Sequence, residues 1–291
     1  MRKFSIYILL TLLFIGFTSQ AQTIARVDKT ATGANDGTTW TNAFTNLQAA
    51  IDAVSVAGGG EVWLKSDTYT PTTGTDRDAR INLVDGVSLY GGFAGTETLR
   101  SERVPEVNIT FLSGEIGSSS TNTDNSINIL NIQSTSLDNV IDGFGVRGVY
   151  TDGIGPGTFG AFFINNGAIT IRNCAFFTNV STYSSGAAIF ANDASLYMQD
   201  LLIFANTTLS TGVVALTGGS SVPESTMINC RIHSNTATAA GPGGLFAKGP
   251  LNLINSTFYN NTSGSQAGGM ILQSLDTKNI YNNIFWGNSG T

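Results

Sequence analysis

The second half of the chain repeats one nine-residue pattern of apolar and polar positions. Its copies are Ile171 to Asn179, Met198 to Asn206, Met227 to Asn235, Leu253 to Asn261 and Ile280 to Asn288. The first position is always apolar, the third Asn or Asp, the sixth Phe or Ile, and the ninth Asn. A looser copy, Val140 to Gly148, precedes them. The ninth-position residues Asn179, Asn206, Asn235, Asn261 and Asn288 lie 27, 29, 26 and 27 apart, so insertions are tolerated after the Asn. Small-residue strand starts follow at Gly186, Gly212, Gly243 and Gly268. Each repeat therefore holds about three short β runs, and none carries the 10–15-residue apolar period of a crossover helix.

Strands of successive repeats must then pair in parallel, about 4.8 Å apart. The predicted fold is all-β: a right-handed parallel β-helix with three-strand coils of about 26–31 residues. Inward columns are expected through Ile171, Met198, Met227, Leu253 and Ile280, and through Phe176, Ile203, Ile232, Phe258 and Phe285. Amides in the ninth-position ladder can hydrogen-bond along the stack and satisfy turn backbone that would otherwise be buried unpaired. Cys174 and Cys230 share the fourth position, but a coil carrying Leu201 separates them. Two strand spacings are about 9.6 Å, beyond the roughly 7 Å limit for a disulfide, so two free, buried thiols are predicted.

An open β-helix end invites edge-to-edge association, and a cap is expected. Phe44, Leu47, Ile51 and Val54 recur at helical spacing, predicting a short N-terminal capping helix over residues 41–54 with Thr41 as N-cap. Gly58 to Gly60 ends it, and Glu61 to Lys65 reads as the first strand of the coils. The chain divides into residues 1–21, a leader; 22–57, an N-terminal strand and capping helix; and 58–291, the β-helix. No capping helix follows Asn288. Either the last coil is open or the chain is the front of a longer product with a C-terminal sorting or anchoring module, and the second is preferred.

Arg2 and Lys3, an apolar run from Ile6 to Phe17, and Ser19 and Ala21 at the expected cleavage positions read as a secretory signal peptide. About a dozen apolar residues are too few to span a bilayer, which takes about 20. The mature chain is expected to begin at Gln22, secreted or associated with the outer surface, with no transmembrane segment and as a monomer. Removing Arg2 and Lys3 takes the formal charge from −6 to −8, which gives no electrostatic reason to bind nucleic acid. Charged residues are only 12% of the chain, against roughly 25% in an ordinary domain, so the surface is solvated by amides and hydroxyls.

The stretches Val27 to Gly33, Asn35 to Trp40, Glu61 to Trp63, Thr68 to Pro71 and Asp85 to Glu97 resemble the opening of bacterial secreted right-handed parallel β-helix repeat proteins of pectate-lyase-like fold. The Gly-Gly-apolar and Phe-x-x-Asn pattern is similar to repeats of polymorphic outer-membrane proteins, and Asn283 to Asn288 looks like the last coils of secreted members. The resemblance covers most of residues 26–288. It implies the fold and not an activity, because the architecture hosts lyases, tailspikes and adhesins alike.

A β-elimination lyase needs a basic side chain beside acidic groups on one face. The regular coils carry few charges, and Arg172 and Arg231 fall at different core positions. The catalytic candidates lie nearer the N-terminus, where charges are denser: Arg77, Asp78, Arg80, Glu97 and Arg103. Their expected state is solvated loop charges that pair with one another. Tyr259 and Trp286, both at the seventh position, are the candidate sugar-binding aromatics. His233, the single histidine, is expected on the surface. No metal site is expected from His and Cys. Asp28 to Gly33 imitates the start of a calcium loop, but Thr39 stands where Glu is needed. No cofactor is therefore expected, with calcium in the Asn/Asp turns left open. The functional expectation is a secreted or cell-surface structural and binding solenoid, adhesin-like or polysaccharide-binding. The alternative is a polysaccharide lyase or glycoside hydrolase acting on acidic polysaccharide. The partners expected are an extracellular polysaccharide or a cell-surface component.

Overall fold

The computed structural model describes residues 23–153, 159–183, 186–219 and 222–290, so the expected signal peptide lies outside the described residues. The chain winds into a parallel β-solenoid of about eight turns. A regular coil begins in a nine-stranded sheet, for example at Ala168–Arg172, and turns into an eight-stranded sheet at Ala175–Phe177. It then crosses a six-stranded sheet of two-residue strands at Val180–Ser181 and returns through a seven-stranded sheet at Ile189–Asn192. The narrow sheet is a fourth one, beyond the three runs per coil that the sequence pattern predicts. Two residues directly after the ladder Asn suffice for it, too few to register as a run.

The inward columns form as the spacing requires. Ile171 pairs with Met198, Met198 with Met227, Met227 with Leu253 and Leu253 with Ile280. Phe176, Ile203, Ile232, Phe258 and Phe285 align in the same way. All but Ile280, which packs against it, and Phe285 belong to one apolar core that runs along the solenoid. In the last described coil Phe285 is 45% exposed, whereas Phe258 beneath it is fully buried. The looser copy is shifted by one residue from its sequence alignment. Ile141 pairs with Ile171 and Val146 with Phe176, so the copy runs from Ile141 to Val149.

Two residues per copy bend the chain between sheets. Position three (Asn173, Asp200, Asn229, Asn255 and Asn282) and position eight (Thr178, Ala205, Ser234, Asn260 and Gly287) all have φ between 51° and 60°. Asn and Asp tolerate this left-handed conformation better than other residues with a side chain, which explains the third-position preference.

The ninth-position ladder satisfies every polar atom of its amides. Asn235 Nδ2 donates to Asn261 Oδ1 at 3.0 Å and to the Ile203 carbonyl at 2.9 Å. Asn235 Oδ1 accepts from the backbone N–H and from Nδ2 of Asn206, both at 3.0 Å. The same four-bond arrangement recurs at Asn206 and Asn261, all three amides being buried. At the near end, Asn179 Nδ2 donates to the Val146 carbonyl, and its Oδ1 accepts from Val149 N. Cys174 and Cys230 are free and buried, with Leu201 stacked between them through Leu202 N to Cys174 O and Arg231 N to Leu201 O. Burial pushes both thiols up to about 12.

Helix α1 spans Leu47–Val56 and is capped by Asn46, whose side chain accepts from Ala49 N at 3.0 Å. It begins six residues later than expected, and Thr41 does not cap it. Phe44 is instead held in a parallel bridge to Val27, after a turn at Thr41 and Asn42, and so stays outside the helix. The helix connects the strands Thr23–Val27 and Gly60–Lys65, the first two of the nine-stranded sheet. Leu47, Ala50, Ile51 and Val54 face the core. Gln48 accepts from Asn82 N at 2.8 Å and donates to Asn82 O at 3.2 Å. It thereby takes the place of a neighbouring strand at the edge strand Ile81–Val84.

Truncating Asn235 to Ala removes four buried hydrogen bonds and leaves a backbone N–H, an amide and a carbonyl under-paired. Chemical denaturation should show a loss of about 4 kcal/mol, since each orphaned buried group costs about 1–3 kcal/mol. Asn252→Ala, on the outer face of the nine-stranded sheet, should cost less than about 1 kcal/mol.

Candidate functional site

The repeat is interrupted by the segment from Ala94 to Ile109, which joins the strands Val87–Phe93 and Thr110–Ser113 at the corner between the nine- and eight-stranded sheets. Its base is an aromatic cluster on the outer face of the nine-stranded sheet. Trp63 stacks on Phe93 at 4.8 Å, Trp40 packs on Phe93 at 5.5 Å, and Tyr90 is buried beside them. Glu97 turns the segment, accepting from Ala94 N, Gly95 N and Thr96 N at 2.6–3.0 Å. Burial alone would raise its pKa, but those N–H groups together hold the carboxyl below the usual range.

Two ion-pair groups fasten the segment. Arg100 pairs with Glu61, which also accepts from Trp63 Nε1 at 2.7 Å. Asp142 is the second hub: it accepts from Arg103 at 2.7 Å, Arg172 at 2.8 Å and Asn173 at 3.0 Å. Arg100 and Arg103 also lie over the Tyr90 ring, at 4.6 and 5.3 Å. Burial opposes ionisation of Asp142, yet the Arg103 and Asn173 hydrogen bonds and the Arg103 charge hold its carboxyl below the ordinary aspartate value.

The five charged candidates separate into two places. Arg77 is tied to Asp152 at 2.9 Å and to the carbonyls of Asn125 and Tyr150 at 2.7 and 2.8 Å, at the start of the narrow sheet. Asp78 is exposed on the same loop, and its carbonyl accepts from Arg80 Nε at 3.3 Å. Glu97 and Arg103 belong to the other segment, and of the five only Arg103 borders the depressions beside it. Asp28, the first residue of the calcium-like stretch, is used internally, by Thr30 and by Lys65 at 2.7 Å. Among the described residues no three His, Cys, Asp or Glu side chains gather into a metal site.

Two open depressions flank the segment. One, of about 620 Å³, is bordered by Glu61, Trp63, Arg100 and Arg103. The other, of about 570 Å³, runs along the eight-stranded sheet, with a floor that includes Phe111, Phe177, Leu202 and Phe204 and a rim that includes Glu106, Asn173, Asp200 and Arg231. Gly145 leaves the floor open, and Phe111 lies across it.

The seventh positions form an outer ring ladder along this face. Phe177 stacks on Phe204 at 5.2 Å, Phe204 on His233 at 5.4 Å, and His233 on Tyr259 at 4.4 Å. Tyr259 pairs in register with Trp286, which is 75% exposed. The ring faces turn toward one another along the solenoid, so the edges point to solvent. His233 is half-buried, and burial, followed by the Arg231 charge, lowers its pKa.

Sequence reasoning missed Asp142, Glu61 and the Phe177–Phe204 floor. The signal for Asp142 was opposite charge in neighbouring coils: in the true register Asp142 aligns with Arg172. The floor was visible as the aromatic seventh position. No family model, curated protein or solved structure matches this chain.

Asp142→Asn should cost about 3 kcal/mol at pH 7 by leaving two guanidinium groups without their carboxylate. Because the folded pKa of Asp142 is depressed, its contribution is present above the ordinary value of about 3.9 and lost as pH falls through the folded value. Denaturation curves of the two proteins should therefore converge in acid.

Proposed function

We propose that the protein is a secreted or cell-surface binding solenoid that holds an extracellular polysaccharide on its eight-stranded face, without catalysis. The observation that carries this reading is the groove beside the Ala94 to Ile109 segment, with its apolar floor and polar rim. Such a composition suits a sugar chain, which offers both C–H surfaces and hydroxyls. The floor supplies contact area through ring edges and Leu202. Asn173, Asp200 and Glu106 offer hydrogen-bonding atoms. Arg231 and Arg147, the latter lying 4.3 Å over the Phe111 ring, make no ion pair among the described residues and are free to meet anionic groups.

Lyase or hydrolase chemistry at this corner would need a group free to exchange protons. Asp142 and Glu61 are committed to guanidinium partners, which leaves Glu106 and Asp200 on the groove rim, without an ion pair among the described residues, as the carboxylates on which the alternative reading, a lyase or hydrolase, would rest. The secreted setting rests on the leader-like residues 1–21 and on the resemblance to secreted β-helix repeat proteins.

Affinity electrophoresis through gels containing neutral or uronate polysaccharides tests the reading. At least one polysaccharide should retard the mature protein, and Arg231→Glu should weaken that binding about tenfold, the size of one good anchor contact. Arg231 is exposed, so the fold should be unaffected. No retardation on any polymer, or release of unsaturated sugar ends with absorbance growing in time, would overturn it.

A further inference from the structure

The loop of residues 114–128, between the strand Thr110–Ser113 and the strand Leu130–Gln133, plays no part in the groove. It contains Glu115 Oε1, Asp124 Oδ1, Asn125 Oδ1, Ser126 Oγ and Asn128 Oδ1, all buried and all without a hydrogen-bond partner. Asn125 is 2% exposed and Ser126 fully buried. Buried polar atoms are paired in the great majority of cases, so five orphans in one loop require an explanation.

The legs of the loop are tied on both sides of Glu115. Ser126 N donates to Gly114 O at 2.8 Å, and Ser118 N donates to Asp124 Oδ2 at 2.7 Å. Asn125 Nδ2 donates to Gly148 O at 2.7 Å, and a Cβ built on Gly148 would lie 3.4 Å from Glu115 N. The Asn125 side chain is therefore held beside the Glu115 backbone, with Asp124 and Ser126 adjoining it in the chain. Neither Glu115 nor Asp124 forms an ion pair among the described residues. The Arg77 guanidinium donates to the Asn125 backbone carbonyl and is neutralised by Asp152, so it does not pair with the loop's carboxylates.

We propose that this loop binds one calcium ion through four of the five orphans, Glu115, Asp124, Asn125 Oδ1 and Ser126 Oγ. The fifth residue, Asn128, is turned to the next coil, its amide nitrogen donating to the carbonyls of Gly160 and Ala161. Every orphan is a hard oxygen donor, the set carries two negative charges, and nitrogen and sulfur ligands are absent from it. That chemistry selects calcium over zinc, and an irregular loop suits calcium better than the strict octahedron of magnesium. Water completes the shell. The Ser126 carbonyl accepts from Tyr150 N, so the ion fastens the loop to the first strand of the narrow sheet, Tyr150–Thr151.

Calorimetric titration of chelator-stripped mature protein with CaCl₂ tests this, alongside thermal melts in calcium, magnesium or chelator. One site per chain is expected, with a Kd of about 10⁻⁴–10⁻³ M as in extracellular modules. Calcium should raise the melting temperature, as any ligand of the folded state does, and magnesium should not. Glu115→Gln with Asp124→Asn should abolish the binding heat at an unchanged circular-dichroism spectrum. Asp124→Asn alone serves in the same way if the pair does not fold. A wild type that neither binds calcium nor melts higher in it would overturn the proposal, with water filling the site. Variants that bind as well as wild type would overturn it equally.

Discussion

The structure depends on satisfying a buried turn that recurs every 4.8 Å. Where each coil leaves the eight-stranded sheet, its backbone N–H has no strand partner in reach, and a buried orphan would cost about 1–3 kcal/mol in every coil. Asn at the ninth position removes that cost because one amide carries two donors and an acceptor with two lone pairs. In Asn206, Asn235 and Asn261 all four are used. A column of Asp would set like charges one above another, and a column of Ser would be too short to reach both neighbours. The ladder therefore fixes the register of its own turn. Contrary to the sequence expectation, coil length varies most not directly after the Asn but in the turn from the seven- to the nine-stranded sheet, where Asn192 and Tyr197 of one coil correspond to Thr217 and Thr226 of the next.

Once the register is fixed, the rest follows from stacking like on like. Inward columns bury Ile, Met, Leu and Phe, and outward columns stack the rings from Phe177 to Tyr259. A regular surface of this kind presents the same edge in each coil and little to distinguish one ligand from another. Distinct chemistry arises where the repeat is broken: at Gly145, at the Ala94 to Ile109 segment fastened by Asp142 and Glu61, and in the loop of residues 114–128.

Much of the fold was legible in the residues because stacking imposes a period. The two inward columns, the Asn ladder and the separation of Cys174 from Cys230 all follow from counting. Other features leave no such trace. The left-handed bend at position eight is filled by Thr, Ala, Ser, Asn and Gly, which share no obvious pattern, so only the position-three bend could be seen in composition. The helix start was misread because Phe44 fits a helical period yet serves a bridge to Val27. A one-residue slip in the looser copy hid the Asp142–Arg172 pairing, and with it the hub of the candidate site. The orphaned oxygens near Glu115 are a property of packing and could not be read from the chain.

Native-state hydrogen exchange at the ladder tests the account most directly. The backbone amides of Asn179, Asn206, Asn235 and Asn261, which donate to the next coil's Oδ1, should exchange as slowly as amides of the buried strands, opening only with the solenoid itself. Exchange of these four amides at the rate of exposed turns, while the strands stay protected, would contradict the claim that the ladder holds the coils in register.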